Sequence, residues 1–348
     1  MKTQNLTKGG GTVVVLIVAV LFPQVFTNPA ATNYGVLALI FATAAVAWHI
    51  FSGNTGYISL GQAVFFGSGA YAMGIAARDW HMQATAVFEL LPLSAAVGAL
   101  IAVPFGLIAL RVRRHTFIVV TIAIFFIFQL MAFNFWFTSG SNGLNSPFLS
   151  WAPVPYNQNF YYIALACTVG TVIVAWLVGR SRFGLQLRAI RDDEDRARGL
   201  GVRAARVKLA AFVISGALTA LIGAVWFYYL NQVQPQTGFN PLFDLTLVLM
   251  VFLGGYGSIS GSLLGALIIE PLYLWINTQP KLNGYNEIML GGVFLLVVLF
   301  MPRGIVPTCS EYLTKLRTRG RAAVSPAATI GSASSTSSAP SVRSGGAR

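Results

Sequence analysis

The sequence predicts an all-α integral membrane protein, a bundle of about eight to ten transmembrane helices that includes a broken or re-entrant pair. Hydrophobic residues make up 55% of the 348 residues and charged residues only 9%, with a mean hydropathy of +0.68. Soluble domains carry about 25% charged residues. No charged residue occurs between Lys8 and Arg78 or between Arg114 and Arg180. Each gap has room for two or three crossings at about 20 residues per helix.

Apolar runs recur along the chain and define the predicted helices. The runs are 12–27, 34–51, 61–77, 90–110, 116–137, 159–178, 209–230, 245–256, 261–277 and 287–302. The eighth run is too short to cross a hydrocarbon core of about 30 Å by itself. The eighth and ninth runs are therefore predicted to form a broken or re-entrant pair.

The basic residues predict the orientation. With ten crossings and the N-terminus inside, only Arg78 and Lys281 fall on the outer side, and the other 21 of the 23 lysines and arginines fall inside. This asymmetry is typical of membrane proteins whose short inner loops are positively charged. It explains the net charge of +13 better than nucleic-acid binding does, since no nucleic-acid-binding motif accompanies the charges. A multi-pass membrane protein with both termini cytoplasmic is expected.

The predicted organisation has three parts. Residues 1–11 form a cytoplasmic N-terminus, and 12–306 form the membrane domain, which includes a cytoplasmic loop at 179–208. Residues 307–348 form a cytoplasmic tail. From about 323 the tail is rich in Ser, Ala and Gly and is expected to be disordered, because it has too few large apolar residues to bury. The first apolar run is interpreted as a transmembrane helix, since no signal-peptidase site follows it.

Catalytic and metal-binding motifs are missing from the sequence. No G-x-x-x-x-G-K-[ST] loop is present, so the chain has no phosphate-binding site of this type. The three histidines are scattered, and Cys167 and Cys309 stand alone, so neither a metal site nor a catalytic arrangement is predicted. The chain is expected to bind no cofactor and to be no enzyme.

Segment 181–208 carries the most informative soluble pattern. Apolar residues at helical spacing form a narrow stripe, and four oppositely charged pairs at spacing i,i+4 favour a helix over 183–198. Gly199 and Gly201 then stop it. Such a helix fits a protein groove better than a lipid surface, although an amphipathic helix on the bilayer stays open. The stripe comprises Phe183, Leu187, Ile190 and Ala197; the pairs are Arg188–Asp192, Arg191–Asp195, Asp192–Arg196 and Glu194–Arg198.

Five stretches resemble ABC-importer permeases for branched-chain amino acids, and in the family's order. NTGYISLGQAVFFGSGAYA resembles an early signature, and the loop beginning SRFGLQLRAIRDDEDRARGLGV resembles the family's cytoplasmic loop. The opening motif and the length are closer to the LivM-type subunit than to its shorter LivH-type partner. The stretches are 54–72, 137–144, 181–223, 253–266 and 299–306.

The resemblance implies a permease that works with a second, LivH-type permease, two cytoplasmic ATPases that bind ATP and Mg²⁺, and a substrate-binding protein. The loop would couple the chain to the ATPase, with Glu194 as the docking anchor and Gly201 at the turn. The expected coupling residues are Phe183, Leu187, Arg188, Ile190, Arg191, Glu194 and Gly201.

Polar side chains in the bundle are predicted to line the translocation path. Glu270 is the one acidic residue expected at membrane depth, whereas Asp244 and Glu287 border apolar runs. Buried polar groups also serve contacts between helices, so a structural role stays open for each. The candidates are Thr121, Gln129, Asn134 and Glu270.

Three alternatives stay open at the level of sequence. The same kind of importer could carry urea, short amides or other amino acids. An ion-driven secondary transporter is disfavoured by the scarcity of intramembrane carboxylates. A membrane enzyme is disfavoured most, because no nucleophile, base or metal ligands cluster in the sequence.

Overall fold

The computed structural model describes residues 17–26, 28–82, 84–147, 149, 151–279 and scattered positions between 285 and 308. These residues form a bundle of long helices with short connecting segments. Residues 17–25 are helical. The elements that follow are α1 (Pro29–Trp48, continued by π-helical turns over His49–Gly53), α2 (Gln62–Asp79), α3 (Leu91–Ala109), α4 (Arg114–Asn134), α5 (Pro153–Arg180), α6 (Arg182–Asp192), α7 (Glu194–Gly199), α8 (Ala204–Leu230), α9 (Pro235–Gly238), α10 (Pro241–Gly254) and α11 (Ile259–Asn277).

Short 3-10 and extended segments join some of these helices. A 3-10 helix, Ala84–Leu90, leads into α3, and two single 3-10 turns, Trp136–Thr138 and Gly140–Asn142, follow α4. The two strands β1 (Leu144–Asn145) and β2 (Gln232–Val233) pair antiparallel. They connect the segment after α4 to the segment after α8, both at the same end of the bundle.

The predicted all-α membrane fold is confirmed. Seven helices in the described part of the chain are long and apolar enough to cross a membrane. They correspond to seven of the ten predicted runs. The run 61–77 is helix α2, which is less apolar than the seven. Neighbouring helices enclose most of its length, so little of it needs to face lipid. Part of the first run, most of the last run, the N-terminus 1–11 and the tail beyond 308 lie outside the described residues.

Helix α8 packs closely against α2 and α3. Small residues permit this approach. A Cβ atom on Gly69 of α2 would collide with the backbone carbonyl of Ala220, and one on Gly98 of α3 would collide with the Ala220 side chain. Because lipid offers no hydrophobic drive for helix association, such backbone-to-backbone packing is a main source of stability.

The predicted broken helix lies at the eighth run. The single turn α9 and the 14-residue α10 are separated by Phe239 and Asn240. At about 1.5 Å per residue, α10 is only about 21 Å long, too short to span the bilayer by itself. The candidate membrane span at this position, Pro235–Gly254, is α9 and α10 together. Asn240 caps its N-terminus by accepting a hydrogen bond from the backbone N–H of Leu242 at 2.9 Å. A tight turn over 255–258 then leads into α11, which is continuous.

Residues 56–61 of the early signature form a non-helical segment that runs back into the bundle, and the rest of the signature is the first part of α2. After α1 ends, the Trp48 indole donates a hydrogen bond to the Ser59 carbonyl at 2.9 Å. The N–H of Leu60 donates to the Thr121 hydroxyl at 3.2 Å. Irregular backbone is tolerated at membrane depth only where protein surrounds it. Helix α2 consequently begins inside the bundle.

Asp244 of α10 caps this buried helix start. Its Oδ1 atom accepts hydrogen bonds from the N–H groups of Gln62 at 2.8 Å and Ala63 at 3.1 Å. The first N–H groups of a helix have no partner within the helix, and no water is at hand to replace one in a membrane interior. Asp244 is only 2% exposed. The expectation that it borders the membrane run was wrong, because α10 starts at Pro241 and the bundle encloses its first turn.

The Gln62 side chain extends this polar network. Its Nε2 atom donates to Ser215 Oγ and Thr219 Oγ1, both at 2.8 Å. Ser215 in turn donates to the carbonyl of Ala47 at 2.7 Å. Helices α1, α2, α8 and α10 are thereby joined around one buried helix terminus.

Replacing Asp244 by Ala leaves two buried N–H donors without an acceptor. We expect the free energy of unfolding to fall by at least about 2 kcal/mol, since each orphaned buried donor costs about 1–3 kcal/mol. Thermal unfolding of the purified protein in detergent measures this. Asp79→Ala is the control, because Asp79 caps nothing and its ion pair with Arg78 is about half exposed. Equal melting temperatures for D244A and D79A would refute the capping role.

Candidate coupling site

The amphipathic segment 181–203 lies at one end of the bundle. The end of α1, the start of α4, the start of α8 and the turn between α10 and α11 meet there. Ser181 caps the N-terminus of α6. Its hydroxyl accepts a hydrogen bond from the N–H of Gly184 at 3.1 Å.

The helix predicted over 183–198 is broken in the structure. Asp193 is extended, with φ −156° and ψ 109°, and it separates α6 from α7. Its carboxylate accepts the N–H groups of Asp195 and Arg196, both at 3.0 Å. Asp residues compete with the helix backbone in this way and favour helix starts. The continuous helix was therefore a wrong expectation.

The break also changes the ion pairs. Of the four predicted pairs only Glu194–Arg198 is formed, at 2.5 Å. Arg196 instead contacts Asp193 at 3.0 Å. Arg188 donates to two backbone carbonyls, those of Gly179 and Gly184. Asp193 interrupts the helix between the partners of Arg191–Asp195 and Asp192–Arg196, and a spacing of four brings side chains together only in a continuous helix. Arg188 and Asp192 are both in α6 but do not pair, because Arg188 is directed to the carbonyls.

The apolar stripe faces the bundle and not a partner. Leu187 and Ile190 are fully buried and Ala197 is 2% exposed, while Phe183 is half-buried. Helix α6 packs on α5 and α8. Leu187 and Ile190, expected to dock on a partner, are therefore covered by the chain itself. Two other leucines of the segment, Leu185 and Leu200, are exposed by 60% and 86%.

Glu194 binds the segment to the bundle. Its carboxylate accepts hydrogen bonds from the hydroxyl of Tyr57 at 2.5 Å, from Lys208 Nζ at 2.8 Å and from Arg198 at 2.5 Å. The ammonium of Lys208 also lies 4.4 Å from the centre of the Tyr57 ring. Only 2% of the Lys208 side chain and 15% of the Glu194 side chain are exposed. We call these three residues, Tyr57, Glu194 and Lys208, the anchor cluster.

The anchor cluster shifts the titration of its members. Burial alone would raise the pKa of Glu194, but the hydrogen bonds from Lys208 and Tyr57 outweigh it and hold that pKa below its usual value. Burial, together with the neighbouring Glu194 carboxylate, raises the pKa of the Tyr57 phenol above its usual value. Glu194 is thus ionised and Tyr57 neutral at pH 7, as their hydrogen bonds require.

Two arginines attach the end of α6 to other helices. Arg114, the first residue of α4, donates through Nη2 to the carbonyls of Ile190 at 3.1 Å and Arg191 at 2.5 Å. A cation near the C-terminal end of a helix is stabilised by the negative end of the helix dipole. Arg191 donates to the Gly53 carbonyl at 3.0 Å, and its guanidinium lies 4.8 Å from the centre of the Tyr256 ring. It therefore touches the end of α1 and the α10–α11 turn.

Gly201 makes the turn expected after the loop. Its φ of +86° is a left-handed conformation that residues with a side chain rarely adopt. No atom would touch a Cβ built at Gly201 or Gly199, but Gly199 has no positive φ. The turn at Gly201 therefore requires glycine for its backbone conformation and not for space.

The four predicted translocation-path residues do not converge. Thr121 donates to the Ile118 carbonyl and supports the early signature, as described above. Gln129 donates to the Phe239 carbonyl at 2.6 Å. Asn134 is exposed and donates to the Leu130 carbonyl of its own helix. Glu270 is 3% exposed and lines a separate cavity.

Sequence reasoning missed Tyr57, Lys208 and Asp244. Tyr57 lies within the early signature, and Lys208 is the last cation before an apolar run of 22 residues, 209–230. A single charged residue directly before an apolar run can be recognised in the sequence. It indicates a buried ion pair or hydrogen bond, because such a residue needs a partner where its helix enters the bundle. In the part of the chain that the structure describes, no three His, Cys, Asp or Glu residues are placed to hold a metal ion.

The fold and this site define a multi-pass membrane protein of the permease type. In the part of the chain that the structure describes, the segments outside the long helices are short and lie at the two ends of the bundle. The chain belongs to the family described as branched-chain amino acid transport system / permease component, whose profile matches residues 30–298. No solved structure matches the chain significantly.

Several curated proteins are similar to the chain in sequence. The chain is 25% identical over 320 residues to the high-affinity branched-chain amino acid transport system permease protein LivM of Salmonella typhimurium, covering 84% of this chain and 73% of the relative. It is 24% identical to LivM of Escherichia coli, covering 85% and 74%. A shorter match, 32% identical over 39% of this chain and 44% of the relative, links it to the ribose import permease protein RbsC of Bacillus subtilis.

Replacing Glu194 by Gln leaves the buried Lys208 ammonium without a counter-charge. We expect the free energy of unfolding at pH 7 to fall by about 3 kcal/mol, as for other broken buried ion pairs. Asp195→Asn is the control, since the Asp195 side chain is 75% exposed and its contact with Arg113 is 3.9 Å long.

The pH dependence gives a second readout of the same pair. Because the pKa of Glu194 in the folded protein lies below the ordinary 4.5, its ionised form stabilises the fold fully above pH 4.5. This stabilisation is lost as the pH falls through the lower, folded-state pKa. The difference in melting temperature between wild type and E194Q should shrink over that range. A difference that grows on acidification would contradict the anchor cluster.

Proposed function

We propose that the chain is the transmembrane permease subunit of an ATP-driven importer that carries leucine, isoleucine and valine across the bacterial inner membrane. The match of the family profile to residues 30–298 is the observation that carries this proposal. The similarity to two LivM proteins, each over more than four-fifths of the chain, supports branched-chain amino acids as the cargo. Because another relative is a ribose import permease, a different cargo is the second candidate. Urea, short amides and other amino acids belong to that candidate.

The end that carries the anchor cluster is proposed to face the cytoplasm. Twelve of the thirteen described lysines and arginines lie at this end, in 111–114 and 180–208, and Arg78 lies at the other. Short inner loops of bacterial membrane proteins are enriched in Lys and Arg. Both termini are then expected on the cytoplasmic side.

Energy is proposed to come from partner subunits. The sequence contains no Walker-type phosphate loop, so ATP and Mg²⁺ would bind on two cytoplasmic ATPases. A second permease would complete the pathway, and a substrate-binding protein would deliver the amino acid from outside. The chain itself is not an enzyme under this proposal.

The exposed side of α6 and α7 is proposed as the ATPase-docking surface. Leu185 and Leu200 are the large apolar side chains exposed there, among Arg182, Arg188 and Arg198. Apolar anchors surrounded by charge are typical of protein interfaces. Leu187 and Ile190 keep the segment attached to the bundle instead. Glu194 acts in this scheme by passing movement of the segment to α8 through Lys208, and Arg191 passes it to α1 and the α10–α11 turn.

Charged substitutions at the docking surface test this assignment. Leu185→Glu and Leu200→Glu should each lower the yield of ATPase subunit that co-purifies with the permease by at least about tenfold, since a buried apolar anchor is worth about 2 kcal/mol. Trp80→Glu is the matched control, because Trp80 is 62% exposed at the opposite end of the bundle. Full co-purification with both leucine variants would exclude docking on this face.

The turn at Gly201 provides a test of coupling that spares the docking contacts. Gly201→Ala forces a side chain into the left-handed region at a cost of about 1 kcal/mol. We expect the number of leucine molecules imported per ATP hydrolysed to fall in the reconstituted complex. Gly199→Ala should leave that ratio unchanged, since Gly199 is at a helix end with a negative φ. Equal ratios for the two variants would remove Gly201 from the coupling pathway.

Competition in uptake decides the cargo. Radiolabelled leucine should be imported by proteoliposomes that hold the complete complex and ATP, and unlabelled isoleucine and valine should compete with it. Urea and ribose should not compete. Import of urea or ribose without import of leucine would replace the proposed cargo by the second candidate.

A further inference from the structure

A small cavity lies between α1, α2, α8, α10 and α11, away from the coupling site. Its volume is about 140 Å³. A single water needs about 10–15 Å³ by the same measure, so the cavity has room for a small organic molecule. Its walls combine one carboxylate, five aromatic rings and a polar rim. The lining residues are Glu270, the aromatic Phe41, Phe66, Trp226, Phe243 and Tyr273, the polar rim residues Thr237 and Asn240, and Leu242 and the buried Thr246.

The carboxylate of Glu270 is not paired with any side chain that the structure describes. It is 3% exposed, and its buried Oε2 atom has no hydrogen-bond partner among these residues. Among the described lining residues there is no lysine, arginine or histidine. A carboxylate in such surroundings is costly unless a cation meets it, and ionisable groups inside membrane bundles commonly mark a functional site.

The aromatic rings favour a cation of low charge density. Phe66 lies 4.3 Å from Phe243 and 5.1 Å from Trp226 between ring centres, and Phe41 lies 5.4 Å from Phe243. Ring faces attract ammonium groups, which is how aromatic cages recognise them. A divalent metal ion is a poor fit, because it needs about six oxygen ligands and Glu270 is the only carboxylate among the lining residues.

The position of the cavity suits a substrate arriving from outside. Thr237 is exposed and Asn240 half-buried, and both lie in the segment that follows α8 at the end opposite the anchor cluster. Under the proposed orientation this rim faces the extracytoplasmic side. Glu270 lies 11 residues into α11, counted from the coupling end, so the carboxylate is about 16 Å deep from that end.

We propose that this cavity binds the ammonium group of the transported amino acid, with Glu270 as the counter-ion and the aromatic rings around it. The proposal rests on the proposed function for the source of the ammonium, but the recognition of an aliphatic ammonium stands on the cavity itself. The head group of phosphatidylethanolamine offers the same chemistry, and the experiment separates the two sources.

The probes are two fragments of leucine. 3-Methylbutylamine keeps the ammonium and lacks the carboxylate, and 4-methylpentanoate keeps the carboxylate and lacks the ammonium. Binding to the purified complex without its binding protein is measured by saturation-transfer NMR, in nanodiscs of phosphatidylglycerol alone. The amine should bind and the acid should not. Equal binding of the two would show that the cavity recognises only the aliphatic chain.

Three variants test the role of Glu270 as the counter-ion. Glu270→Gln keeps the shape but not the charge and should weaken amine binding at least about tenfold, while Glu270→Asp should retain part of it. Glu89→Gln is the matched control, because Glu89 is an exposed carboxylate at the same end of the bundle. Melting temperatures of E270Q and E270D are compared to confirm that both fold. A carboxyl group that stays protonated would make E270Q bind like wild type, which would overturn the proposal.

Lipid exchange and uptake complete the test. Adding phosphatidylethanolamine to the nanodiscs should leave amine binding unchanged, and competitive displacement would assign the cavity to the lipid and overturn the substrate role. Failure of the wild-type complex to import leucine would refute the proposed function. Failure of E270Q to lose amine binding would refute only this inference.

Discussion

The fold depends on a helix that begins inside the membrane domain. The first N–H groups of α2 have no water to bond to, and the carboxylate of Asp244 accepts two of them at 2.8 and 3.1 Å. That cap allows the preceding segment, 54–61, to run through the bundle as irregular backbone. The Gln62 side chain then ties α2 to α8, and through Ser215 to α1. The early signature is thus a structural motif, conspicuous because few residue types satisfy a buried helix start.

The coupling end uses charge in a comparable way. A buried Lys208 and a largely buried Glu194 satisfy each other, and the Tyr57 hydroxyl bridges them. Such a pair contributes less to net stability than its contacts suggest, because both charges lose hydration. Its value is that a surface segment is attached to α8 at a defined position. Together with Arg191, it attaches the segment to α1, α8 and the α10–α11 turn by polar contacts, which the proposed coupling role requires.

The two ends of the bundle consequently have different chemistry. The coupling end is basic and held by ion pairs, whereas the opposite end leads to an aromatic cavity with one unpaired carboxylate. Asp244 and Glu270 each have one buried oxygen without a hydrogen-bond partner, Oδ2 and Oε2 respectively. They differ in that Oδ1 of Asp244 accepts two backbone N–H groups of a helix start, whereas no described residue donates a hydrogen bond to Glu270. Structural acids in membranes are recognised by the donors around them, and acids poised for a ligand by the absence of such donors.

The sequence by itself determined the membrane class, nearly all of the described helices and the position of the charged amphipathic segment, because hydropathy and charge placement are properties of neighbouring residues. The turn at Gly201 also followed from local chemistry, and the short eighth run predicted an interrupted span. The tertiary structure decided that the interruption falls at Phe239 and Asn240, which face of α6 is buried, where Asp193 breaks the helix, and that Asp244 lies within the bundle. It also decided that Glu194 meets Lys208 and Tyr57, and that Thr121 and Gln129 donate to backbone carbonyls. Those outcomes depend on which distant segments share a site, and a helical period cannot show which side of a helix its own chain will cover.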